Sequence, residues 1–164
     1  FKPEKIDSGA SLYRRSIYTY WRRSGPAPVL EAFDLPNRVV CTAKRDTTNT
    51  PLHALVLLNG TQFVEASRVL AEHVLHTYSN DSSVAIEHAF YLLTSRHPDN
   101  DEQKILVQMV EDQRSWYESH PEDAKKLLAV GQKLNNENLS EIDVAALSAV
   151  LAGLYAHDES VVKR

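Results

Sequence analysis

The chain has 164 residues, of which 43% are hydrophobic and 24% charged, the composition of one ordinary folded domain rather than of a disordered, collagenous or membrane-embedded polypeptide. A single cysteine excludes an internal disulfide framework, a Cys/His zinc finger and covalent c-type haem attachment, which needs C-x-x-C-H. The formal net charge of −4 and a sequence pI near 6.0 argue against general nucleic-acid binding, which needs clustered and unopposed Lys/Arg.

Residues 11–23 carry Tyr13, Ile17, Tyr20 and Trp21 at spacings that line one side of a helix, with strand as the alternative given the aromatic and β-branched content. Gly25-Pro26-Ala27-Pro28 stops this segment, because proline removes donors and pushes its predecessor toward extended backbone. Residues 29–47 read as irregular, with 38–43 as the one strand candidate. Thr50-Pro51 is a strong helix start, a capping hydroxyl followed by an imino acid where no amide partner is required. The helix through Leu58 is apolar on every side, which predicts a central position with neighbours all round. Asn59-Gly60 is expected to end it in a left-handed stop.

A longer helix follows to about Tyr78, its Phe63, Leu70, Ala71, Val74, Leu75 and Tyr78 facing the core and Glu65, Arg68, Glu72 and His76 facing outward. Asn80-Asp81-Ser82 caps the next helix, to about Ser95, and Asp99 with Glu102 has capping-box spacing for another. That helix places Ile105, Leu106, Met109, Val110, Trp116 and Tyr117 together and ends before His120-Pro121. A short helix from Pro121 closes at Gly131, 132–139 is a polar loop, and Ser140 with Asp143 starts a last helix. Its Ala145, Ala146, Ala149, Ala152 and Gly153 permit close approach of a neighbour. The expected fold is therefore all-α, an irregular bundle of about six or seven helices, read as one structural unit with an extended N-terminal arm (1–47) before a helical domain (48–164). The longest apolar run, Ala54-Leu55-Val56-Leu57-Leu58, falls far short of the roughly 20 residues of a bilayer span.

Charge is unevenly spread. Residues 1–45 hold nine Lys/Arg against four Asp/Glu, a net +5, and 46–164 hold nine against eighteen, a net −9. The basic arm is thus suited to an acidic surface, most simply that of the helical half, otherwise that of a partner. The opening Phe1-Lys2-Pro3-Glu4 has no signal-peptide character and reads as a cut through a longer polypeptide.

Two clusters are candidate binding sites. Arg14, Arg15, Arg22 and Arg23 interleave with Trp21 and several tyrosines, a set of guanidinium forks and aromatic faces that suits carboxylate-rich partners, haem propionates or anionic polysaccharide, or that ties the arm to the acidic half. Arg45, Thr48, Asn49 and His53 gather at the N-terminus of the apolar helix, where unpaired amides attract anions; an internal polar network is the plainer reading. Among the other histidines, His73 and His76 lack metalloprotease spacing and read as solvated, and His88 as a hydrogen-bonded core residue. Cys41 is expected to be buried and inert. No nucleophile elbow, phosphate loop or metal-ligand motif is present in the sequence, so no catalytic residue is assigned and the chain alone is read as non-catalytic.

Several stretches nevertheless form a recognisable pattern: Leu12-Tyr13-Arg14-Arg15-Ser16-Ile17-Tyr18-Thr19-Tyr20-Trp21, Phe33-Asp34, Val40-Cys41-Thr42, and above all Thr48-Asn49-Thr50-Pro51-Leu52 with Gln62-Phe63-Val64-Glu65-Ala66. These resemble the planctomycete-specific domain one family, a domain of unknown function. Members are found toward the C-terminal end of large exported proteins, often with a cytochrome c-like module upstream. The family commonly has glutamine where His53 stands, so the resemblance does not support a shared catalytic base there. It implies an exported, periplasmic setting, upstream domains of the same polypeptide as partners, and haem held elsewhere in that polypeptide with no cofactor in this chain. The expected role is a non-catalytic interaction or scaffold module. The alternatives are a share in a composite redox or polysaccharide-processing site completed by upstream domains, and an anionic-glycan surface.

Overall fold

The computed structural model describes residues 8–20, 25, 27–36, 40–44, 48–78 and 81–161. Among these it is all-α with no strand: α1 (Pro28–Ala32), α2 (Pro51–Asn59), α3 (Thr61–Thr77), α4 (Ser82–Thr94), α5 (Asn100–Ser119), α6 (Pro121–Leu128), α7 (Glu141–Tyr155) and α8 (Asp158–Val161). The chain divides into two compact units, Phe1–Val56 and Leu57–Arg164.

In the second unit the expected start signals operate as chemistry demands. Asp81 accepts from the amides of Ser83 and Val84 at 2.9 and 3.3 Å. Asp99 and Glu102 form a reciprocal capping box, the Asp99 carboxylate accepting from the Glu102 amide at 2.7 Å while Glu102 accepts from the Asp99 amide at 2.8 Å. Pro121 occupies the first turn of α6, and the Ser140 hydroxyl accepts from the Asp143 amide. Ser95, in the left-handed region at φ 62°, ends α4.

The helix enclosed by its neighbours is α7. Val144, Ala145, Ala146, Leu147, Ser148, Val150, Leu151 and Leu154 are all buried, and α3, α4, α5, α6 and α8 pack on it. Its alanines let several backbones approach closely. The core it organises includes Val74 of α3, Ile86 and Phe90 of α4, Leu106 and Val110 of α5 and Leu128 of α6.

The expectation that α2 would be central is corrected. On α2 Leu57 and His53 are buried, but Leu52, Leu55 and Leu58 are 52%, 57% and 43% exposed. At about 100° per residue, these three leucines share an arc of about 120°, opposite His53 and Leu57. Both α2 and α7 lack a polar face, and apolarity alone does not decide which of two such helices is enclosed. The longer α7, studded with small residues, takes the position. Gly60 is likewise not a left-handed stop: at φ −68°, ψ 123° it is the extended residue between α2 and α3.

Further corrections concern the expected faces and the arm. On α5 Leu106 and Val110 are buried, whereas Ile105, Met109 and Trp116 are exposed, so the apolar face predicted as one splits in two. Residues 11–20 form no regular helix. Short 3-10 turns occupy Gly9–Ser11 and Ser16–Tyr18, with Tyr13, Ile17, Tyr18 and Tyr20 exposed; too few apolar neighbours meet this face to stabilise an isolated helix of that length. The stretch expected to be irregular contains α1, which Pro28 starts at a position needing no donor. Of the strand candidate 38–43, residues 38 and 39 lie outside the described residues and 40–43 are not in a strand, and Cys41 is exposed rather than buried, since no sheet partner or helix face exists to cover it among the described residues.

Candidate functional site

The predicted cluster at the start of α2 is partly assembled. Asp34, in the left-handed conformation that a short carboxylate side chain tolerates (φ 53°), accepts from the Thr48 amide at 2.8 Å and from the Thr48 hydroxyl. The turn after α1 is thereby stapled to the approach to α2. Asn49 is exposed. His53 is 3% exposed, stacks on Phe33 with ring centroids 5.0 Å apart, and has no hydrogen-bond partner among the described residues on either ring nitrogen. Its role in the fold is that of a packed ring. Arg14 and Arg15 are exposed. Trp21, Arg22, Arg23 and Arg45 lie outside the described residues.

The most developed polar site lies on α3, where the sequence points to a solvated face. Glu65, Arg68 and Glu72 recur at i, i+3 and i+7, yet all three are buried, Arg68 to 1% exposure. The polar loop after α6 covers them. One terminal nitrogen of Arg68 donates to the Glu72 carboxylate at 2.7 Å and the other to the carbonyl of Lys133 at 2.6 Å. The Glu65 carboxylate accepts from the amides of Gln132 and Lys133 at 3.2 and 2.6 Å. These charged side chains stand in for the regular backbone pairing that the loop lacks, meeting the requirement that buried amides and carbonyls find partners.

Gly131 is required at the loop entrance. It has φ +100°, and a Cβ there would lie 2.5 Å from the Glu65 Cδ and 2.7 Å from its Oε2. Only glycine combines that backbone conformation with that proximity. The glycine, read from the sequence as a helix stop, is thus also the space that Glu65 occupies. The α3 charges and the loop are 65 or more residues apart, so no local spacing in the sequence reveals the pairing.

Where the loop leaves α3 a cleft of about 430 Å³ opens, with His73, His76, Lys133, Asn135 and Asn136 among its walls. Glu72 reaches it from the ion pair, and Val69 and Leu134 supply apolar surface. Leu134 is 89% exposed. Among the described residues, no cluster of three or more His, Cys, Asp or Glu side chains is arranged to hold a metal ion.

Some of the other histidines make ring contacts. His88 is half-buried between Tyr78 and Tyr91, at centroid distances of 5.2 and 6.4 Å, and His120 stacks on Trp116 at 3.9 Å. Arg96 links three helices. It pairs at 2.7 Å with Glu102 of α5 and with Glu159 of α8, and lies over the Phe90 ring of α4. Paired with this guanidinium and accepting the Asp99 amide, Glu102 has its pKa lowered to about 2. Burial raises the Tyr155 phenol, and burial with the nearby Asp123 carboxylate raises that of Tyr117.

Fold and site together define an all-helical domain built around one enclosed helix, with a loop clamped by buried charges and a polar cleft beside it. The family model described as PSD1, protein of unknown function (DUF1553), matches residues 2–110, more than half of the chain, and the chain belongs to that family. The match takes in α1 to α4, including the α3 side of the cleft, and reaches into α5; the clamped loop and α7 follow it. No curated protein and no solved structure is detectably similar to the chain. Among the described residues no helix is long and apolar enough to cross a membrane.

Proposed function

We propose that this chain is a non-catalytic interaction module of a larger exported, periplasmic protein, presenting a surface to upstream domains of the same polypeptide, in which haem is held by a cytochrome c-like part. The setting is an expectation from the family resemblance. The interaction role is supported by one observation above others: α2 turns Leu52, Leu55 and Leu58 to the outside. Contiguous apolar surface on a helix is a familiar means of groove docking. Burying a leucine fully contributes about 1.5–3 kcal/mol. Covering the exposed half of three such side chains therefore yields about 2–4 kcal/mol, enough to seat a module already tethered to its partner.

The test is a calorimetric titration of this 164-residue chain with the upstream region of its parent polypeptide, produced separately. Binding with a negative heat-capacity change, the mark of apolar burial, is the expected result. No heat with the upstream region at about 5 mM, where a complex as weak as about −3 kcal/mol would register, rejects the role.

A further inference from the structure

We infer that the cleft between α3 and the 131–139 loop is a binding site for a small hydroxylated carboxylate with one apolar face, the chemistry of a pyranose uronic acid.

The first consideration is how the cleft is held. A loop can be fastened by apolar contacts, which need no desolvation of charge. Here the loop is fastened by Arg68, Glu72 and Glu65, all buried, although removing such charges from water is expensive. At its far end the loop is also held by Leu139, which packs against the core, but Leu134, its other large apolar side chain, is left 89% exposed at the cleft instead of closing it. The arrangement fixes backbone on both sides of the cleft while leaving the cleft open. Its volume is about 430 Å³, in a hollow largely open to solvent, so a ligand would be held along one face.

The second consideration is the lining. The side chains available are an ammonium (Lys133), two imidazoles one helical turn apart (His73, His76), two primary amides (Asn135, Asn136) and a carboxylate (Glu72). The Glu72 charge is answered by Arg68 at 2.7 Å, so among the described lining residues Lys133 is the permanent cation that faces a ligand anion. One Glu72 oxygen is taken by Arg68, and the other is an acceptor for a ligand hydroxyl. The Asn136 side-chain oxygen accepts from the Asn138 amide at 3.1 Å, which leaves its NH2 to donate, and the Asn135 amide can donate and accept side by side, the pattern that vicinal hydroxyls need. Val69 and Leu134 offer aliphatic surface for the C–H face of a sugar ring. A simple inorganic anion would use Lys133 but leave the amides, Glu72 and the aliphatic surface idle. A neutral sugar would leave Lys133 idle.

The test is an NMR titration of the 164-residue chain with D-glucuronate and D-galacturonate, with D-glucose and acetate as comparators, following backbone amides. The expected result is saturable shifts confined to residues 69–76 and 131–136 for at least one uronate. Glucose and acetate should each bind about tenfold more weakly or worse, the equivalent of losing one good polar contact. Lys133→Met and Asn135→Ala, both at exposed positions, should each weaken uronate binding by about fivefold or more without a change in melting temperature. No saturable shift with either uronate at about 50 mM, beyond which an affinity would fall below about −2 kcal/mol, overturns the inference. So do shifts centred elsewhere, equal binding of glucose, or undiminished binding by both variants.

Discussion

Gly131→Ala tests the loop clamp in a way that can be worked from the structure. A non-glycine residue in the left-handed region costs about 1–2 kcal/mol through its backbone alone, and Gly131 sits there at φ +100°. The added Cβ would also lie 2.5–2.7 Å from the Glu65 Cδ, Cγ and Oε2, so the buried carboxylate must move. Moving it loosens the bonds it accepts from the Gln132 and Lys133 amides, each charge-assisted and of the kind that contributes about 1.5–3 kcal/mol. The expected loss is therefore about 3–6 kcal/mol, a large part of the roughly 5–15 kcal/mol of a typical domain. Urea denaturation of a double-mutant cycle separates the two parts. In a Glu65→Ala background the steric part disappears, and Gly131→Ala should cost only the backbone part of about 1–2 kcal/mol. Equal cost in both backgrounds would refute the claim that Gly131 makes room for Glu65.

Four other substitutions follow from the same structure. Arg68→Met should destabilise by about 3–5 kcal/mol because it strands the buried Glu72 carboxylate, and Arg68→Met with Glu72→Leu should recover much of that loss; chemical denaturation of the three variants decides it. His53→Leu removes a buried ring with no hydrogen-bond partner among the described residues and should be neutral or stabilising by up to about 1–2 kcal/mol, so a large drop in melting temperature would show that the imidazole has a partner. Leu57→Asp puts an uncompensated charge at a 6% exposed position and should cost several kcal/mol, leaving little folded protein by circular dichroism. Glu102 has a folded-state pKa of about 2 against an ordinary 4.5. Its contribution to stability is complete above the unfolded value and is lost as pH falls from there toward 2. Glu102→Gln, which keeps a side chain able to cap, should flatten stability against pH in that window and leave the slope above about pH 6 unchanged.

The helices from α3 onward are largely legible in the sequence because their starts are local chemistry. Asp81, Asp99 with Glu102, and Ser140 each act within three residues of the backbone amides they satisfy, and Pro121 sits in a first turn that needs no donor, so sequence spacing reveals them. Which apolar helix is enclosed is not legible, since α2 and α7 look alike in pattern and only packing against α3, α5 and α6 distinguishes them. The polar face of α3 misleads for a related reason. Glu65, Arg68 and Glu72 have the composition of a solvated stripe, and only a loop some 65 residues later, with Gly131 at its entrance, turns them inward. Of the predicted binding residues, Thr48 does belong to a polar staple, but its partner Asp34 lies 14 residues away across a turn that no motif announces. His53 has the chemistry of a site residue in the sequence, whereas its stacking on Phe33 makes it a packing residue.

The exposed leucines of α2 carry the interaction reading, and one measurement addresses them directly: calorimetric affinity for the upstream region of the parent polypeptide, compared between the native chain and Leu52→Lys/Leu55→Lys/Leu58→Lys. All three positions face outward, so the variant should melt near the native temperature, as surface substitutions ordinarily do. Its affinity should fall by at least about tenfold, or about 1.4 kcal/mol. Native-like affinity in a folded variant would contradict the claim that this face is where the module docks.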